Sequence, residues 1–155
     1  MQYTSPEQWF GNDKQALGLD FPNLPYLIEG NFKITETPAI CTYIIDRSNR
    51  KELLGKNYQD RALVLNLVGV IEECLEKLVT IAYSPNGAAL LEKTWKETLQ
   101  PKLQYFAKFK GNKEWLLGYL TLADFLFVEM SYYLENIYKI EFKNLIFVQA
   151  LRNSF

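Results

Sequence analysis

The chain has 155 residues, near the size of one domain and long enough to bury a sizeable core; 48% are hydrophobic and 15% aromatic, which excludes disorder. Its formal net charge of −1 provides no long-range field for nucleic acid or an anionic membrane. Histidine is absent, which removes Ser-His and Cys-His nucleophile schemes and the common histidine metal sites.

No signal peptide opens the sequence, and the apolar runs at 62–71 and 116–128 are broken by Asn66 and Asp124 and too short to span a bilayer. A cytoplasmic location is the expectation. Cys41 and Cys74 are isolated within apolar helical patterns, which favours buried structural thiols over a redox pair.

Residues 1–16 are polar with little periodicity and read as a surface loop ending in a short helical turn. Asn23-Leu24-Pro25 precedes an apolar strand, 26–28. Glu29-Gly30-Asn31 is turn chemistry, and Phe32-Lys33-Ile34 resumes an alternating strand, so the two runs form a hairpin. Thr37 is placed as N-cap of a helix with Pro38 as its first residue, where a missing N–H costs nothing. That helix runs from Ala39 to about Ser48 with Ile40, Tyr43 and Ile44 on one face. A charged connector follows at 47–52, then a short turn at 53–55, and the domain organisation is 1–50 and 51–155.

Residues 57–82 form a long helix with an apolar stripe at 63, 64, 67, 68, 71, 74, 75, 78, 79 and 82. Glu72, Glu73 and Glu76 read as a solvated face, and Tyr83 ends the helix. A second long helix spans 88–109 with Leu91, Trp95, Leu99, Leu103, Phe106 and Phe109 inward and a bend at Pro101. Gly111-Asn112-Lys113 is a turn. Thr121-Leu122-Ala123-Asp124 is a capping box opening an apolar helix to about Tyr138, and a shorter helix covers 142–151. The fold class is mainly α: a hairpin and helix followed by an all-helical domain.

The stretch 17–40, LGLDFPNLPYLIEGNFKITETPAI, resembles the glutathione-site core of glutathione transferases, most closely the mu class. The resemblance continues through Gly55, Tyr83-Ser84-Pro85 and Thr121–Phe125, and starts late: the family's opening strand, helix and strand have no counterpart, nor has its last helix and tail. It implies a truncated thioredoxin-like domain, a ββα remnant, ahead of the helical domain. It also implies glutathione as co-substrate, no cofactor or metal, a small electrophile, a homodimer, and neither nucleic acid nor membrane as partner.

Residue by residue, the resemblance gives Trp9 and Lys14 the glycyl carboxylate of glutathione, both being donors to an anion. From the residues alone they read as a covering tryptophan and a solvated lysine. A cis Leu24-Pro25 bond would turn Leu24's backbone groups toward the cysteinyl unit, and Asn23 would line the same groove. Glu36 and Thr37 would hold the γ-glutamyl end, Thr37 with the free N–H groups of the helix start. The plainer reading of that pair is an ordinary capped helix. Phe21 matches an aromatic that inserts between helices of the other subunit, and reads equally as a core phenylalanine. Glu73 matches an acidic residue reaching across the dimer to the γ-glutamyl group, and Tyr83 a hydroxyl facing the electrophile.

The family's thiolate-activating tyrosine lies on the first strand, and Tyr3 falls in the loop before Trp9 instead, so no residue is assigned a catalytic role. Conjugation of glutathione to small electrophiles is the leading expectation, with weak turnover by this chain. The alternatives are a non-catalytic binding or dimerisation module and a truncated product of an active gene. Without neighbouring strands the hairpin has an unpaired edge, and Phe32, Ile34, Ile40 and Ile44 lack part of their packing.

Overall fold

The computed structural model describes residues 5–139. The chain divides into two compact units, Met1–Arg50 and Lys51–Phe155.

In the first unit the opening segment is helical rather than a loop. Pro6–Gln8, a wider turn at Trp9–Asp13 and Lys14–Ala16 follow without a break. Two local causes start it: Ser5 Oγ accepts from the Gln8 N–H at 3.2 Å, and Pro6 sits in the first turn, where no N–H is needed. Burial of Trp9, 5% exposed, gives the segment an inner face that its polar composition concealed.

The hairpin is tighter than its turn residues suggested. β1 (Tyr26–Glu29) pairs antiparallel with β2 (Phe32–Thr35), in register from Tyr26 opposite Thr35 to Glu29 opposite Phe32. Glu29 therefore belongs to the strand, and Gly30-Asn31 alone make the turn. Gly30 has φ +60°, the positive value that primed two-residue turns need to match strand twist. Leu24-Pro25 is cis.

The helix after β2, α1 (Thr37–Arg47), starts earlier than the N-cap reading of Thr37. Glu36 occupies the cap position, its carbonyl accepting the first helical bond from Ile40 N–H at 2.9 Å, so Thr37 lies inside the first turn with Pro38. The inward residue is Ile45 rather than Ile44, which is 51% exposed. Tyr43 instead lies against Phe32, ring centroids 4.6 Å apart, with its hydroxyl on Glu29, which also pairs with Arg47 at 2.7 Å. Phe32 stays 43% exposed, so one face of this small sheet is only partly covered. Thr35, Leu19, Ile45 and Trp9 are its buried residues.

The second unit opens with a single 3-10 turn, Lys51–Leu54, that buries Leu54. Gly55 follows at φ +114°, and a Cβ there would lie 2.4 Å from the Arg61 backbone nitrogen. Only glycine lets the chain pass so close to the helix that follows. That helix, α2 (Tyr58–Ala82), is capped by Asn57, whose Oδ1 accepts from Asp60 N–H at 2.9 Å. Its buried face is Val64, Leu67, Val68, Ile71, Cys74, Leu78 and Ile81, whereas Leu63 and Val79 of the apolar stripe point outward and Ala82 is exposed. The stripe was drawn too wide because apolar residues occupy both sides of this helix.

The next long helix is continuous in path but not in geometry: α3 (Gly87–Thr94), a wide turn at Trp95–Leu99, and α4 (Gln100–Lys110). Gln100 N–H reaches back five residues to Trp95 O, which absorbs the bond that Pro101 cannot donate. Leu99, Leu103 and Phe106 are buried, while Phe109, expected inside, is 37% exposed. α5 (Leu122–Tyr132) packs against α2, and a wide turn, Tyr133–Ile137, prolongs it. Phe106 and Phe127 meet at 5.0 Å between centroids. The helix expected at 142–151 lies outside the described residues. Among those residues no helix is long and apolar enough to cross a membrane.

At the head of α5 the capping box is fully buried. Asp124 accepts from Thr121 N–H (2.8 Å), Thr121 Oγ1 (2.9 Å) and, eight residues back, Leu116 N–H (2.9 Å). Burial outweighs these donors and holds the carboxyl above the usual aspartate range. A raised folded pKa favours the fold below the ordinary aspartate value, and that contribution is lost as pH rises through the folded one. Asp124→Ala strands two buried N–H groups. Urea denaturation followed by circular dichroism is expected to show a loss of about 2–4 kcal/mol; a loss under about 1 kcal/mol would mean the box does not organise the helix.

Candidate functional site

Three separated stretches of the first unit meet where β2 gives way to α1. Glu36 holds φ +71° and ψ +117°, outside the regions ordinary residues favour, at a cost of order 1–3 kcal/mol. Its carboxylate Oε1 accepts from Asn23 Nδ2 at 3.1 Å, and Asn23 Oδ1 in turn accepts from Leu24 N–H at 2.9 Å. Thr35, one residue before, is buried and donates its hydroxyl to Phe21 O at 2.9 Å. Segment 21–24 is thereby tied to the joint by two side-chain bonds.

The eleven-residue helix α1 then presents its N-terminus beside these groups. The N–H groups of Thr37 and Ala39 have no partner within the helix, and Pro38 contributes none, so two donors and the positive end of the helix dipole face the start. Such a terminus takes an anion, a carboxylate included. Trp9 reaches the neighbourhood by stacking on Tyr26, centroids 6.0 Å apart and rings 13° from parallel, next to Leu24-Pro25.

The placement of each residue singled out in the sequence is thus uneven. Asn23, Leu24, Glu36 and Thr37 are together, with Trp9 behind Tyr26. Lys14 is half-buried, its ammonium 5.7 Å from the Phe10 ring, and no bond ties it to that group. Leu24 N–H is already satisfied by Asn23, so it meets a ligand only by exchanging that partner. Phe21 is 79% exposed, which disposes of the core-phenylalanine reading and leaves a projecting aromatic.

In the second unit, Glu73 is not merely solvated. Lys102 of α4 binds its Oε2 at 2.7 Å and holds the Glu73 carboxyl below the usual range. This contact spans 29 residues and no local pattern announces it. Tyr83 caps the C-terminus of α2 and is 87% exposed. Beside Glu73 a groove of about 330 Å³ runs between α2 and α4, lined by Asn66, Leu67, Val70, Lys102, Tyr105, Phe106 and Phe109. Sequence reasoning missed it because the exposed Phe109 and Tyr105 were taken as core or left unassigned.

A polar helix start behind a two-stranded hairpin, carried on one chain with an all-helical unit, defines a class of two-part proteins that hold a small anionic ligand. Comparison with known proteins supplies the family. Residues 72–154 match the family model of the glutathione S-transferase C-terminal domain, and residues 3–46 that of the N-terminal domain. Glutathione S-transferase Mu 1 of Macaca fascicularis is 38% identical over 120 residues, covering 77% of this chain and 53% of that protein. The Mu 1 protein of Oryctolagus cuniculus is 34% identical over 145 residues, covering 93% and 60%. Among solved structures, rat hPGDS complexed with a quinoline superposes with a TM-score of 0.86 at 20% identity, over 99% of this chain and 76% of that one, a likeness of fold alone. The chain belongs to the glutathione S-transferase family and is mu-class-like. Its first unit is the remnant of a thioredoxin-like domain, and it spans about half the length of the curated relatives it matches, 53% in the first case.

Cysteine chemistry at this site is testable. Cys74 is buried on α2, and burial pushes its thiol up to about 11. Less than about 1% of it is thiolate at pH 8. Iodoacetamide followed by mass spectrometry should leave Cys74 unmodified in the native protein and label it in urea; rapid native labelling would show an open helix core.

Proposed function

We propose that the protein binds glutathione through its first unit and serves a glutathione transferase reaction on small electrophiles. The observation that carries this is the convergence of Asn23, Leu24, Glu36 and Thr37 at an open helix N-terminus, drawn together by the Asn23–Glu36 bond. Glutathione is a dianionic peptide with one ammonium. Thr37 and the first-turn N–H groups suit its γ-glutamyl carboxylate, and Glu36 suits the neighbouring ammonium. Asn23 and Leu24 pair with the cysteinyl backbone after the Asn23–Leu24 bond opens, and Trp9 and Lys14 take the glycyl carboxylate.

Glu73 and Tyr83 complete the reading from the helical unit. Glu73 is bound by Lys102 through Oε2, and its other oxygen accepts from the γ-glutamyl ammonium held by a second copy. Tyr83 offers its hydroxyl to the electrophile. No residue of this chain is assigned the role of stabilising the thiolate, and glutathione acts as co-substrate without a further cofactor. The setting is the cytoplasm, as for a thiol conjugation that draws on a reduced glutathione pool.

The assembly proposed is a homodimer. Phe21 projects from the first unit, and the apolar groove between α2 and α4 has room for an aromatic ring and ends in aromatic walls, Tyr105, Phe106 and Phe109. Seating Phe21 of one copy in the groove of the other removes both apolar surfaces from water.

Two sets of measurements check these assignments. By calorimetry, Thr37→Val should weaken glutathione about tenfold, the loss of a charge-assisted hydrogen bond. Lys14→Ala should weaken it about two- to fivefold in low salt and less in high salt, since an exposed charge is screened. Native affinity in both variants overturns the site. In sedimentation velocity, Phe21→Ala should shift the protein toward monomer, because deleting a large buried aromatic costs about 3–5 kcal/mol; an unchanged oligomer removes Phe21 from the interface.

A further inference from the structure

On α2 the residues preceding Tyr83 at helical spacing share its face. Val79 lies four residues back and its carbonyl accepts the Tyr83 N–H at 3.2 Å; Glu76 lies seven back, its carbonyl taking the Thr80 hydroxyl at 2.9 Å. The helix therefore keeps its period to the end, and the three side chains stand on one stripe. All three are exposed, Tyr83 by 87% and Val79 by 55%, whereas Cys74, Leu78 and Ile81 on the opposite face are buried. Glu73, one position round, is already neutralised by Lys102. Glu76 makes no ion pair among the described residues, so the stripe carries a hydroxyl, an apolar step and one uncompensated carboxylate.

We propose that this stripe selects positively charged aromatic electrophiles, Glu76 being the residue that sets the preference. The inference rests on the reading of Tyr83 as facing the electrophile. Seven residues of helix put Glu76 about 10 Å from Tyr83 along the axis. An aromatic ring lying on Val79 with its reactive carbon toward Tyr83 carries a substituent on its far end to the carboxylate. A quaternary ammonium or guanidinium there meets an opposite charge, while a nitro or carboxylate group meets repulsion.

The test uses two preformed conjugates of glutathione, S-(4-nitrobenzyl)glutathione and its analogue with a para-trimethylammonium group, titrated into the full chain by calorimetry. In low salt the cationic conjugate should bind about two- to fivefold more tightly, the range of an exposed ion pair, and salt should narrow the gap. Glu76→Gln should bring the ratio to about one. Glu97→Gln, which removes an exposed carboxylate elsewhere in this unit, should leave the ratio as it is and so separates a local contact from net charge. Equal binding of the two conjugates by the native chain, or an unchanged ratio in Glu76→Gln, overturns the selectivity while glutathione binding stands. Failure of glutathione itself and of both conjugates to bind overturns the underlying reading, and this proposal with it.

Discussion

The joint between β2 and α1 turns on the backbone of Glu36. A non-glycine residue at φ +71° is held there only when its surroundings outweigh the local cost. Here Thr35 is buried and hydrogen-bonded to Phe21 O on one side, and Ile40 N–H takes the Glu36 carbonyl on the other. The conformation swings the chain from strand to helix in a single residue. It also aims the Glu36 side chain back at Asn23, which orders segment 21–24. Without that turn the helix start and the cis Leu24-Pro25 segment would not share a surface, and the polar groups proposed to bind glutathione would be scattered.

The helical unit is organised around a different kind of constraint, a carboxylate without water. Asp124 is at zero exposure, and three donors converge on it from the loop 116–121 and the first turn of α5. Buried acceptors of this sort specify geometry more than they add stability, because the desolvation they suffer is returned only when every donor is in place. Around it the aliphatic faces of α2, α4 and α5 supply the apolar burial. Pro101 is tolerated by widening one turn, which keeps Leu99 and Leu103 on the inner face.

What remains outside the core is uneven and chemically informative. The first unit leaves Phe21, Phe32 and Ile44 partly or largely open, and the second leaves Tyr105, Phe109, Val79 and Tyr83. Scattered apolar exposure is ordinary, but these fall in sets: a knob, a groove and a stripe. A knob and a groove on one chain invite association of two copies, and the stripe beside Tyr83 suits a small ligand. A family of catalysts that works by orienting a thiol and an electrophile needs surfaces of both kinds.

The sequence by itself determined the elements whose signals are local. The hairpin followed from alternation and Gly30-Asn31, α2 from apolar periodicity and the Asn57 cap, α5 from Thr121–Asp124, and the family from the run 17–40. Three or four neighbouring residues suffice for each, since caps, turns and helix faces are short-range physics. Tertiary structure decided the rest. Whether Trp9 turned inward, which of Ile44 and Ile45 was buried, and where α1 began all depended on what packed opposite. The Lys102–Glu73 bond, the Asn23–Glu36 bond and the groove of α2 and α4 join residues 29, 13 and some 40 apart, and nothing in the residues between them marks the meeting. Long-range pairing is set by the sum of many burials, so one helix read alone cannot say which of its two apolar sides will face the core.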